Sequence, residues 1–414
     1  MSRAVLVFAL VLMCAIAPAS AIIGTVDDVP AATLLLPYFE VDLERADGIT
    51  TLFSINNASA TAILAHVVLW TDLSVPTLDF NVYLTGYDVV TFNLRDLFNG
   101  TVPSTASDGQ DPADTISPQG PFSQDINFAS CNGQLPLPNL PPVLLNHVRA
   151  AHTGQPSSVF LGECGGIDHG DSIARGYVTI DTVNSCSLQF PGDVGYFSTV
   201  VTFQNVLLGD YYYVIPEENF AQGETMVHAE ADLSLGAGNY TFYRRYGAGE
   251  DRREGLTNTF FVRYVTGGNF DGGTHLIVWR DAERTISPFT CGTLPAPYPL
   301  SQNQIVIFDE EENPDVPQQS PFSPVIPGDF LAPFPWEANR VAVGGPNFPV
   351  PFEFGWLYLN LNSFVVASQV PFEPIMQNWV TVVSSAEGRY SVGFDAFQLS
   401  NVTFPGAASD RIIQ

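Results

Sequence analysis

The chain has 414 residues, with 15 Lys and Arg against 43 Asp and Glu, a formal net charge of −28 in which every basic residue is an arginine. A negative field of that size repels nucleic acid and anionic lipid heads, which excludes both as partners. The length exceeds one ordinary core and suits two domains of about 200 residues each.

In chain order, the N-terminus reads as a secretory signal over residues 1–21: Arg3 supplies the positive start, Ala4 to Ala17 the apolar stretch, and Ala19-Ser-Ala21 the small-residue cleavage site. The mature chain is expected to begin at Ile22. The rival is a lipoprotein anchored through Cys14, but Met13 stands where such signals prefer a small residue. No later window holds the about 20 uninterrupted apolar residues of a membrane helix, so no transmembrane segment is expected in the mature chain. An apolar run, Ala31 to Pro37, follows; it is a candidate for strand addition to a neighbouring copy or, within one chain, an edge strand of its own sandwich.

His66-Val-Val-Leu-Trp70-Thr-Asp72 recurs as His275-Leu-Ile-Val-Trp279-Arg-Asp281. With six His and five Trp in the chain, a His four residues before a Trp should arise by chance roughly 0.07 times, so the recurrence points to a duplicated domain. Asp47 to Phe53 aligns with Glu254 to Phe261, Asp88 to Asn93 with Gln304 to Asp309, and Gly176 to Asp181 with Gly355 to Asn360. Repeat 1 is placed at 22–236, with an insertion over about 99–175, and repeat 2 at 237–414, with an insertion over about 312–354. Both insertions are rich in turn residues.

Runs rich in Val, Ile, Tyr, Phe and Thr predict strands over Thr50–Asn56, Ala62–Thr71, Phe80–Leu84, Val89–Leu94, Tyr177–Thr182, Thr199–Phe203 and Tyr211–Ile215, with counterparts in the second half. One helix is predicted, Pro142 to His152, with proline at its start and Gly154 just past its end. The fold class is all-β: two tandem duplicated β-sandwich domains with long irregular insertions and one short helix. The segment Thr50 to Asn57, ending in an Asn-rich turn, followed by Ala62 to Trp70 and Val89 to Asn93, resembles the immunoglobulin-like sandwich modules of exported bacterial proteins. That resemblance covers about 60 residues and implies a sandwich fold without a particular activity.

After signal removal Cys131, Cys164, Cys186 and Cys291 remain, an even number that favours two disulfides in an exported chain. Three pairings are open. The favoured one joins Cys131 to Cys164 within the first insertion, leaving Cys186 with Cys291 to tie the halves together.

Period-two alternation puts His66, Val68, Trp70 and Asp72 on one strand face, and a set present in both copies reads as scaffold. His228, Glu230 and Asp232 alternate in the same way and could hold a divalent metal. Asp168 with Asp171, and Asp309 with Glu311, are clustered oxygen ligands suited to calcium, although neither has EF-hand order and a solvated acidic turn is the default reading. Calcium is the one cofactor these residues point to. Arg244, Arg245, Arg252 and Arg253, mixed with Glu250, Asp251 and Glu254, form either a mixed-charge turn between the repeats or a docking patch for an acidic partner.

Signatures for nucleophile elbows, zinc proteases and phosphate loops are missing from the sequence. The expectation is therefore a non-enzymatic exported protein, structural, adhesive or ligand-presenting, in the cell envelope, periplasm or extracellular space. Its partners would be a cell-surface protein or glycan, or further copies of itself. The alternatives are a secreted carbohydrate-binding or carbohydrate-active protein, since glycosidases need only two carboxylates, and a surface-filament subunit assembling by strand addition.

Overall fold

A computed structural model describes residues 29–103, 126–135, 137–235, 241–247, 250–281, 287–297, 300, 304–315, 333–362, 376–386 and 389–398. Residues 1–21, read as a secretory signal, lie outside them. The described chain is all-β, with strands in four antiparallel sheets. The first half supplies β1 (Thr33–Asp42), β2 (Thr50–Asn57), β3 (Ile63–Thr71), β4 (Pro76–Leu84), β5 (Val89–Asn93), β6 (Ile173–Val183), β7 (Leu207–Ile215), β8 (Phe220–Thr225) and β9 (Val227–Ala229). The second supplies β10 (Thr259–Val265), β11 (Gly273–Asp281), β12 (Ile305–Phe308), β13 (Pro314–Asp315), β14 (Ala338–Ala342), β15 (Phe354–Asn360), β16 (Gln377–Ala386), β17 (Tyr390–Asp395) and β18 (Phe397–Gln398).

Sheet β4-β3-β6-β1-β9 faces sheet β5-β2-β7-β8, and sheet β14-β11-β16-β17 faces sheet β13-β12-β15-β10-β18. Among the described residues no sheet mixes strands from the two halves. The sequence patterns explain the layering. In β2 the inward Phe53 and Ile55 are buried while Ser54 and Asn56 are half-buried, the alternation of a sheet with one wet face. Strands β1 and β3 are buried along their whole length, as near-continuous apolar runs require.

The second covering layer comes from the other half of the chain. In β11 and β16, Leu276, Val278, Val380 and Val382 enter the core of the second sandwich. Their alternate neighbours Ile277, Trp279, Trp379 and Val383 join the core of the first. Strand β1 is internal, between β6 and β9, and Pro37 falls where its register to β6 shifts, between Leu36 and Phe39. The expected edge position is thus replaced by a bulge, the other place where a residue without an N–H is tolerated.

Strands β3 and β11 occupy like positions: β3 lies between β4 and β6, and β11 between β14 and β16. The downstream sequence alignments do not follow this topology. Strand β6 pairs with β3, whereas β15, aligned with it in sequence, pairs with β10 in the opposite sheet. Strand β5 pairs with β2, while β12 pairs with β13 and β15. The gap assigned to the second insertion contains β14. The stretch expected as a strand at Thr199–Phe203 begins instead as a π-helical turn, Tyr196–Val200, started by Gly195 at φ 91° and burying Tyr196, Phe197 and Val200.

Helix α1 (Leu94–Phe98) ends just before the first insertion, which contains α2 (Pro142–His152), matching the predicted helix. His152 docks α2 onto the sheet, its Nδ1 2.8 Å from the Arg175 carbonyl oxygen and its Nε2 2.8 Å from Thr77 Oγ1. Gly176 permits this approach and that of β3: a Cβ there would stand 3.0 Å from His152 Nδ1 and 2.0 Å from the Trp70 carbonyl oxygen.

The four cysteines form Cys131–Cys186 and Cys164–Cys291. The favoured pairing is therefore corrected. Cys131 is fixed beside the residues that follow β6, and Cys164 lies on the far side of α2, where it exchanges backbone hydrogen bonds with Phe289. A tie between the halves survives, made by Cys164. In the chain-entropy picture closing either loop is worth up to about 4 to 5 kcal/mol. A non-reducing digest read by mass spectrometry should recover Cys131 linked to Cys186 and Cys164 linked to Cys291; a Cys131–Cys164 peptide would overturn this connectivity.

Candidate functional site

The repeated strands meet across the junction of the sandwiches. On β3 the face bearing His66, Val68 and Trp70 is in register with Asp181, Thr179 and Tyr177 of β6. On β11, Trp279 is opposite Trp379, Ile277 opposite Thr381 and His275 opposite Val383. Trp70 stacks on Tyr177 at 5.8 Å, Tyr177 meets Trp279 edge-on at 5.8 Å, and Trp279 stacks on Phe242 at 5.6 Å. Trp70 Nε1 donates to Thr179 Oγ1. The tryptophans are thus packing elements. Their strand ends are clamped together as well: Ala338 N donates to the Asp72 carbonyl, and Arg280 N to the Glu337 carbonyl.

Burying this much strand also buries charges, and they are paired. Arg253 is fully buried, 3.3 Å from Asp181 and 3.4 Å from Asp251, while Tyr196 and Tyr243 both donate to Asp181 Oδ2. Arg245 lies 3.1 Å from Asp281 and 2.6 Å from Glu337, and also reaches the Tyr177 hydroxyl. Two arginines of the basic cluster are therefore internal staples, not a docking patch for an acidic partner. Such pairs roughly break even against an apolar core, but removing one member strands the other at a cost of about 3 to 5 kcal/mol. Burial pushes the Glu337 carboxyl up, the Asp281 carboxylate adds to this and Arg245 opposes it, leaving it at about 7.

At the rim of the junction a cleft of about 650 Å³ opens, lined by Tyr38, Glu40, Asp72, His169, Arg175, His275 and Arg340, with Asn347 and a wall of Pro333 and Pro335. Its volume falls in the range of small-molecule sites. Two elements of order stand out. First, Asp72 carries a 4 % exposed carboxylate whose Oδ1 accepts from Ile167 N, and whose Oδ2 is 3.0 Å from Nε2 of His169, itself 37 % exposed. A buried carboxylate thus orients an accessible imidazole. Second, charges alternate along the wall. Asp171 grips Arg175 through both oxygens at 2.7 and 2.8 Å, Arg175 Nε lies 3.5 Å from Glu40 Oε1, and Glu40 Oε2 accepts from Arg340 Nη1 at 2.6 Å.

Burial raises the Glu40 carboxyl, but Arg340 and Arg175 more than offset this and hold it below the usual range. His275 is pushed down to about 4 by burial and then by Arg340, so its imidazole is neutral at physiological pH. The other repeat's histidine is sealed inside, with Nδ1 3.1 Å from Asn81 Oδ1. The two copies of the motif therefore contribute unequally: Asp72 from one and His275 from the other reach the cleft.

Of the metal candidates only Asp171 belongs to this wall, and the others lie apart from it. Strand β9 ends at Ala229, so His228, Glu230 and Asp232 do not share one strand face. His228 is buried, accepting from Gly209 N through Nε2, whereas Asp232 closes its own turn by accepting from Ser234 N and Oγ. Asp168 accepts from Gly170 N, while Asp171 is committed to Arg175. Asp309 accepts from the backbone of Glu311 and Asn313 and from the Asn313 amide, which holds its carboxyl low; Glu311 is exposed. Among the described residues no three His, Cys, Asp or Glu side chains group as a metal site.

Sequence reading passed over Glu40, Arg175, Arg340 and Glu337. Their available signal was a charge within, or just before, a largely apolar strand, which implies a buried partner.

Glu337 supplies a pH test. Its carboxyl is raised in the fold, so the protonated form is favoured by folding, and that contribution is complete below about pH 4.5 and lost as pH rises through 7. Glu337→Gln keeps the shape without the charge. Denaturant midpoints should show the variant gaining on wild type between pH 5 and 8, in roughly that window; a variant that instead loses ground as pH rises would mean the ion pair outweighs the burial cost.

Comparison with protein-family models, with curated protein sequences and with solved structures found no match.

Proposed function

We propose that this chain is an exported, non-enzymatic protein whose two sandwiches, descended from one duplicated unit, form a rigid body that presents a ligand site in the cell envelope or outside the cell. The observation that carries this reading is the junction cleft: its walls are fixed by paired charges and by the Trp strands, yet it stays open at the rim. Its described lining offers hydrogen-bonding and charged groups but no Ser, Thr or Cys, and the Tyr38 hydroxyl is buried and donates to Glu40. Such a lining suits a ligand held through hydrogen bonds and charge. Two disulfides suit an oxidising compartment.

A glycan-binding reading has one observation of its own. On the sheet of β10, β12, β15 and β18, the rings of Phe308, Phe261, Trp356 and Phe397 follow one another at 5.1 to 6.1 Å, with Phe397 60 % exposed. Such a row suits the apolar faces of sugar rings.

Expression with the native leader should yield protein outside the cytoplasm with Ile22 as its N-terminal residue, read by Edman sequencing; retention of Met1 in cytoplasmic protein removes the export claim. A glycan array run beside a hydrolysis assay tests the rest. Glycan retention lost in Trp356→Ala would establish the second reading, and reproducible sugar cleavage abolished by a single carboxylate change would overturn the non-enzymatic one.

A further inference from the structure

The alternating wall of the cleft is unfinished at one end. Along Asp171–Arg175–Glu40–Arg340, Arg175 has a carboxylate on each side and Glu40 has a guanidinium on each side. The Asp171 end is exposed and met by water. The other end is Arg340, 28 % exposed on its side chain and lining the cleft, with one carboxylate neighbour. Its Nη1 is used by Glu40, while Nε and Nη2 have no partner among the described residues. Those two groups form the side-on edge of a guanidinium, the pair of parallel donors that matches the two oxygens of a carboxylate.

We propose that the junction cleft binds a small organic carboxylate, with the open Nε/Nη2 edge of Arg340 as its anchor, so that the ligand completes the row of charges. This rests on the reading of the cleft as a ligand site and adds the chemical class.

The surroundings agree with an anion of modest size. His275, on the neighbouring strand β11, is neutral and so can donate or accept without adding a charge. The Asn347 amide lines the same wall and is exposed. Within the row, Arg175 and Arg340 balance Asp171 and Glu40, and the one further carboxylate lining the cleft, Asp72, is engaged by Ile167 N and His169 Nε2. Distant negative charges are screened beyond about 8 Å at physiological ionic strength, which leaves the contact with Arg340 to decide binding. The remaining volume accommodates hydroxyl-bearing substituents, for which the Asp72–His169 pair provides an acceptor and an oriented imidazole.

The test is titration calorimetry on the purified chain with its disulfides intact, at constant ionic strength, using acetate, D-glucuronate and D-glucose. Glucuronate and glucose share a ring and differ in the carboxylate. The expected result is saturable binding of glucuronate, weaker binding of acetate and at least tenfold weaker binding of glucose. Arg340→Lys keeps a cation beside Glu40 but lacks the two-donor edge; it should weaken glucuronate roughly tenfold or more with the unfolding midpoint unchanged. Arg389→Gln, at an exposed pair with Asp271, should change nothing. If Arg340→Lys does not fold, Asn347→Asp places a negative charge on the same exposed wall and should weaken glucuronate comparably. Glucose binding as tightly as glucuronate would overturn the carboxylate assignment while leaving the cleft as a ligand site. Glucuronate binding undiminished in Arg340→Lys or Asn347→Asp would place the carboxylate elsewhere, and no binding of any of the three probes would count against both the assignment and the cleft as a ligand site.

Discussion

The structure depends on burying two sheet faces against each other that in an isolated sandwich would meet water. The sheet of β3 and β6 and the sheet of β11 and β16 are each packed on both sides, one side within their own sandwich and one across the junction. That arrangement removes a large apolar area from water, the dominant favourable term in folding. It also forces every charge on those faces either to find a partner or to be neutral. Glu40, Asp181, Arg245, Arg253 and Glu337 all lie under that constraint.

The candidate site follows from the same constraint relaxing at the rim. Deep in the junction, Arg253 sits between Asp181 and Asp251 and is surrounded by tyrosine hydroxyls and rings. Nearer the surface the row of charges ends on Arg340, whose second donor edge is unfilled, and the packing gives way to an open cleft. A rigid wall with one unfilled bidentate donor is pre-organised: little ordering is required when a ligand arrives. The disulfide from Cys164 to Cys291 and the backbone bonds at Glu337–Ala338 hold the two halves that form the walls.

The repeated His-Trp-Asp strand illustrates how one sequence pattern can serve two ends. Its tryptophans are scaffold, stacked through Tyr177, and that role was legible because both copies share it. The histidine and aspartate diverge in environment: His66 is enclosed against Asn81 while His275 faces the cleft, and Asp72 orients His169 while Asp281 pairs with Arg245. Nothing within either seven-residue segment distinguishes these fates. They depend on where the motif falls relative to the rim, which is set by strands about a hundred residues away in sequence.

By itself the sequence determined the local features: strands from β-branched and aromatic runs, helix α2 from its proline start and glycine stop, and a two-part all-β architecture. These rest on short-range periodicity and turn chemistry, which a linear chain carries openly. Tertiary structure alone decided the cysteine pairing, the bulge at Pro37, the end of β9 at Ala229 and the places of β12 and β15. It alone brought Glu40, Arg175 and Arg340 together. Those outcomes depend on which faces become buried against which. A lone charge in an apolar strand announces that it needs a partner, but its partner here lies up to 300 residues away, and only the packed junction selects it.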